Sequence, residues 1–162
     1  MAGISPPAEH APLLPPGLHP HTVEELRQRC VSGFPNSKTR EAIMRGLETI
    51  IEKVEQAHIR AEVWVNGSFL THKENPGDSD IVFFIDSHVL DFGTPHQKEV
   101  LDWVRSDLRK DYLCDSYVWA LFSLGDQFSQ DINEVGRKLW LQRYGLSRGN
   151  DPKGIAVVMI GR

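Results

Sequence analysis

Residues 81–85, Ile-Val-Phe-Phe-Ile, form an unbroken apolar run with Asp78-Ser79-Asp80 before it and Asp86 after it. A run this short and apolar, with polar residues at both ends, fits a central strand buried on both faces. Residues 61–65 read as a second short strand that runs directly into the turn signal Asn66-Gly67-Ser68, and the two strands are expected to be neighbours. Residues 115–124, rich in Tyr, Val, Trp and Phe, predict a third strand. Residues 153–160 predict a last one.

Helical patterns lie between these strands. Thr22 followed by Glu25 is a capping-box arrangement, so a short helix is expected over about 23–32. Gly33, Pro35 and Asn36 break it, and Ser37 is placed to cap a longer helix with a buried stripe of Ile43, Leu47, Ile50, Ile51 and Val54. Val100, Leu101, Val104 and Leu108 predict a helix over 95–110. Ile132, Val135, Leu139 and Trp140 carry another over about 128–143, and 144–154 reads as loop. Strands and helices alternate without an internal repeat, which predicts an α/β (α+β) domain: a mixed sheet with helices packed on it.

A chain of 162 residues is long enough for one core and too short for two. With 40% hydrophobic and 25% charged residues it has the composition of a folded globular protein. Residues 1–21 carry six of the prolines and read as an extended arm that precedes a single domain over 22–162; its apolar pair Leu13-Leu14 either drapes over the domain or stays disordered, and its first ten residues are expected to be mobile. The arm does not have the pattern of a signal peptide, and no stretch approaches the length of a membrane span; no membrane association and a cytoplasmic location are the expectation. Cys30 and Cys114 lack metal-ligand spacing and read as small buried hydrophobes. The seven histidines form no ligand pattern, and the four tryptophans read as core. A net charge of −4 gives no global field for nucleic acid, although Arg137, Lys138, Arg143, Arg148, Lys153 and Arg162 all fall in the last third.

The chemistry concentrates between Trp64 and Asp86. Side chains two apart on a strand share a face, so Asp78 and Asp80 project together at the head of the apolar strand. Two such carboxylates repel unless something binds between them, and hard oxygen ligands suit Mg2+ or Mn2+. Gly67 lets backbone approach a phosphate closely, and Ser68 adds a hydroxyl beside exposed amides. Phosphate donors facing a carboxylate-bound metal are the requirements of phosphoryl or nucleotidyl transfer. Taken singly, each half also matches an ordinary turn. Lys73, between the halves, is a candidate phosphate contact or a solvated loop lysine; Arg148 and Lys153 are similar candidates.

The combination of Gly67-Ser68-Phe69 with Asp78-Ser79-Asp80 resembles nucleotidyltransferases of the polymerase-beta superfamily, whose motif is a glycine-serine pair followed about ten residues later by Asp-x-Asp. The resemblance implies a third metal carboxylate on a later, adjacent strand. Asp115 is the candidate, with Asp111 and Asp91 as substitutes; Asp86 lies roughly 20 Å along the strand from Asp80. Residues 14–20, 67–73 and 153–155 are also similar to a group of short bacterial and phage stand-alone proteins of this fold. The implied activity is transfer of a nucleoside monophosphate from a nucleoside triphosphate to a protein, tRNA or small-molecule acceptor, in a toxin-antitoxin or phage-defence setting. A protein partner or a homodimer would complete the site. The alternatives are a non-catalytic antitoxin-like binding protein and a nucleotide sensor on the same fold.

Overall fold

In the computed structural model, which describes residues 10–123, 125–147 and 149–161, the strands are β1 (Gly17–Pro20), β2 (Ala61–Asn66), β3 (Ser79–Asp86), β4 (Cys114–Leu121) and β5 (Gly154–Ile160). They form one mixed sheet in the order β1-β5-β2-β3-β4. β2 is antiparallel to both neighbours, whereas β3–β4 and β1–β5 are parallel pairs. The helices are α1 (Val23–Arg27), α2 (Arg40–Gln56), α3 (Ser87–Phe92), α4 (Pro95–Arg105), α5 (Arg109–Tyr112) and α6 (Gln127–Tyr144). The fold class is the expected one.

Strand alternation distributes the apolar run between two cores. Ile81, Phe83 and Ile85 join Val63, Val65, Ala156 and Val158 in the larger core, with Ile43, Leu47, Ile50 and Val54 of α2 and Leu101 and Val104 of α4. Val82 and Phe84 face the other way, with Trp64, Ile155 and Val157, and are covered by Trp140 and Tyr144 of α6. A sheet loaded on both sides is what an all-apolar central strand requires. At Gly46, α2 and α5 touch so closely that a Cβ would overlap the Tyr112 carbonyl.

Several expectations change in detail. Of the two courses open to the arm, its described part takes the one over the domain: Leu14 is buried, and residues 17–20 add β1 to the sheet edge. Pro20 is tolerated there because an edge strand has one unpaired side. Residues 1–9, on which the expected mobility falls, lie outside the described residues. The Thr22–Glu25 capping box is present, and α1 continues as a π-helical turn over Gln28–Ser32. The predicted 95–110 helix breaks at Ser106, where α4 ends.

The helix expected over about 128–143 is α6, but of the residues that suggested it only Trp140 is buried, together with Ser129, Gly136 and Tyr144, while Ile132, Val135 and Leu139 are exposed. Trp119 on β4 is 37% exposed, so it is only partly core. Cys30 and Cys114 are both free and buried, and burial pushes their thiols up to about 12 and about 11. Among the described residues, no helix is long and apolar enough to cross a membrane.

Candidate functional site

The two halves of the motif meet because β2 and β3 are antiparallel neighbours. Asn66, at the end of β2, pairs in register with Asp80 near the start of β3. The next residue, Gly67, has φ 91°, and a Cβ there would sit 2.8 Å from Asp80 Oδ2. Glycine is therefore required twice over, for its left-handed backbone and for room beside the carboxylate. Ser68 follows in a short turn, Ser68–Leu70, in which the Ser68 carbonyl accepts from the Thr71 amide at 3.2 Å and from the Thr71 hydroxyl at 2.7 Å.

The parallel pairing of β3 with β4 supplies the third carboxylate: Asp80 and Asp115 are register partners. Asp80 shares strand parity with Val82 and Phe84, so this chemistry lies on the α6 side of the sheet. Asp80 is half-buried, and its carboxyl is pushed up to about 6 by burial first, then by the charges of Asp78 and Asp115. Lys153 and Arg143 act in the opposite direction. Lys73, in the connection between the two halves, is exposed.

The Lys73 carbonyl is held by a buried arginine. Arg40, on the first turn of α2, is 1% exposed and donates to the carbonyls of Cys30, Phe69, Thr71 and Lys73 at 2.6–3.2 Å. Its guanidinium lies 3.7 Å from the centre of the Phe34 ring. A buried cation satisfied by carbonyls alone acts as a clip on the segment that follows Ser68. No local pattern in the sequence marks it, because its partners are brought together only by the fold.

A relay ties Asp115 to α6. Arg143 Nη2 donates to the Tyr117 hydroxyl at 2.9 Å, and that hydroxyl donates to Asp115 Oδ2 at 3.1 Å. Tyr144 closes the inner wall. Its backbone carbonyl accepts from Asn66 Nδ2, and burial, followed by the Asp80 charge, pushes its phenol up so that it stays protonated. Among the described residues, the Tyr144 hydroxyl and Asn66 Oδ1 are buried without a hydrogen-bond partner. Buried polar atoms are normally satisfied, so these two retain hydrogen-bonding capacity at the wall.

Of the remaining candidates, Asp86 caps α3 and accepts from Ser123 at 2.8 Å, far along β3 from the motif. Asp91 and Asp111 are exposed on α3 and α5. Arg137 pairs with Glu62 and Lys138 with Glu134, which removes them from a shared basic patch. Arg148 and Arg162 lie outside the described residues. An open cleft of about 420 Å³ adjoins Asp115 and Tyr117, with Arg105, Asp107 and Arg109 on its far side.

An all-oxygen, like-charged donor set fits a hard divalent cation. Among the described residues, no three His, Cys, Asp or Glu side chains are grouped closely enough to hold an ion together. Asp115 is engaged by Tyr117, so its carboxylate is committed elsewhere in this arrangement.

Neither a curated protein nor a solved structure matches the chain. A family model matches residues 6–159, nearly the whole length, and the chain belongs to that family, DUF6932, a family of unknown function.

Proposed function

We propose that this protein is a metal-dependent nucleotidyltransferase, which transfers a nucleoside monophosphate from a nucleoside triphosphate to an acceptor hydroxyl. The observation that carries this reading is the register pairing of Asp80 with Asp115, beside Asp78 and against Gly67. Asp78 and Asp80 would hold the metal, with Asp115 giving up its Tyr117 hydrogen bond to join them. A divalent cation bound there would neutralise the triphosphate and stabilise the departing pyrophosphate.

The chain's own residues do the rest. Gly67 brings backbone close to the phosphates, Ser68 offers its hydroxyl, and Arg143 and Lys153 add positive charge on the Asp80 side. The acceptor enters by the cleft beside Asp115, lined by Arg105 and Arg109. Its hydroxyl oxygen bonds to the α-phosphorus as the bond from that phosphorus to the bridging oxygen breaks. The hydroxyl proton passes to Asp115, and pyrophosphate leaves with the bridging oxygen. The acceptor belongs to a class that presents a hydroxyl, whether a protein, a tRNA or a small molecule; a toxin-antitoxin or phage-defence setting follows from the resemblance to minimal nucleotidyltransferases.

Isothermal titration of each nucleoside triphosphate with Mg2+ into the wild type and into Asp78→Ala/Asp80→Ala tests the reading. Metal-dependent binding in the wild type and its loss in a folded double variant is the expected result. A wild type that binds no triphosphate with Mg2+ present overturns it and favours a binding protein on the same fold.

A further inference from the structure

α6 buries one side and exposes another that is equally apolar. Gly136 packs against Trp119 of β4, and Arg137 reaches across to Glu62 of β2 at 2.8 Å, so the inward side of the helix spans the sheet from β4 to β2. Phe128, Ile132, Val135 and Leu139 are 73%, 37%, 58% and 52% exposed. At about 100° per residue they fall within an arc of roughly 60°, turned past Gly136 toward the free edge of β4. Trp119 and Phe122, 37% and 38% exposed, extend the patch onto the strand and its exit. Monomeric proteins rarely leave so continuous an apolar strip in water.

The pattern indicates what covers it. The spacing of four, three and four residues is that of successive a and d positions, the seam along which two helices interlock. The same spacing reads identically in both directions, so a two-fold axis between Ile132 and Val135 sets Phe128 of one copy opposite Leu139 of the other and Ile132 opposite Val135. The flank of the seam away from the sheet carries Asp131 and Lys138. In an antiparallel pair Asp131 of each copy lies beside Lys138 of the other, so both charges are complemented twice. The pairing of Lys138 with Glu134 within one helix is solvent-exposed and does not oppose this exchange. In a parallel pair that flank would instead face the partner's Ser129 and Gly136 flank, and neither charge would find a complement. The opposite flank, Ser129 and Gly136, is already buried against the protein's own sheet.

We propose that the outer strip of α6 is a self-association surface on which two copies of this chain pair antiparallel through Phe128, Ile132, Val135 and Leu139. The inference is independent of the nucleotidyl-transfer reading, since it uses none of the carboxylates. It leaves Tyr144 on the inner wall of the site undisturbed.

Sedimentation equilibrium of the full chain, from about 1 to about 200 µM, reads the association directly across the micromolar range. The wild type is expected to shift from the 18.3 kDa chain mass toward twice that value as concentration rises. Val135→Glu/Leu139→Glu, at exposed positions whose change leaves the fold and its far-ultraviolet dichroism intact, is expected to weaken association at least tenfold. Asp131→Lys is expected to weaken it roughly fivefold by setting lysines beside lysines, and Asp131→Lys/Lys138→Asp to restore it. A wild type that stays at the chain mass at every concentration overturns the proposal and assigns the strip to a different partner. A dimer indifferent to Val135→Glu/Leu139→Glu also overturns it, and failure of the double charge exchange to recover overturns the antiparallel arrangement.

Discussion

Replacing Asp80 by Asn should stabilise the metal-free protein while removing its proposed activity. The carboxyl of Asp80 is pushed from an ordinary 3.8 to about 6 on folding, because burial and the neighbouring charges of Asp78 and Asp115 oppose its ionisation. A raised carboxyl favours the protonated form in the folded state. Its contribution is therefore fully present below the unfolded value and is lost as pH rises through about 6. At about 1.4 kcal/mol per pH unit the shift corresponds to at most about 3 kcal/mol, and solvent access to this half-buried group reduces that to about 1–2 kcal/mol. Urea unfolding in a chelator, from pH 4 to pH 8, measures it. The stability of Asp80→Asn relative to wild type should climb between pH 4 and pH 6.5 and then level off. With millimolar Mg2+ at pH 8, the wild type should recover stability by binding and the variant should not. A stability difference that is flat with pH, or one that turns against Asp80→Asn as pH rises, would refute the electrostatic reasoning.

The other expectations follow from the hydrogen bonds of single side chains. Tyr117→Phe removes the donor that holds Asp115, and Mg2+-dependent triphosphate binding should tighten by roughly fivefold, the worth of about one kcal/mol hydrogen bond; calorimetric affinity equal to or weaker than wild type counts against Asp115 as a ligand held in reserve. Arg40→Met strips the donors from the carbonyls of Cys30, Phe69, Thr71 and Lys73, and about 3 kcal/mol or more should be lost in urea unfolding. Hydrogen exchange over residues 67–73 should accelerate before the rest of the sheet, and a loss under about 1 kcal/mol would mean that the clip is ornamental.

What can be read in advance follows from which interactions are local. The apolar run from Ile81 to Ile85 announces β3 because its continuity is a property of five adjacent residues, and both cores follow from its alternation. The pairing of Gly67-Ser68 with Asp78-Ser79-Asp80 is legible for the same reason: the two ends of one β2–β3 connection must meet. Asp115 is accessible only through the resemblance, and its parallel register with Asp80 is a long-range fact. Arg143, Tyr144 and Arg40 have no local sequence signal for these roles, since each meets a residue 26 or more positions away, whereas Tyr117 lies two residues from Asp115 on the same strand and is not set apart from the other aromatics there. Lys73 is the natural lysine to choose by proximity in sequence; it is exposed, and the contact of its carbonyl with Arg40 is a long-range one that the sequence does not announce.

The α6 helix shows why apolar periodicity alone misleads. Periodicity reports that a face prefers to leave water, without saying whether the sheet or another molecule takes it. Here the sheet takes the face with Gly136 and Ser129, small enough to let the helix approach β4, together with Trp140 and Tyr144, large enough to fill the space above Trp64 and Phe84. That face has fewer aliphatic side chains than the one formed by Phe128, Ile132, Val135 and Leu139, yet its shape is the one that matches the sheet. A helix with two apolar faces can satisfy only one within this small domain, and the exposed one carries the self-complementary spacing and the Asp131–Lys138 charge pattern that a second copy would match.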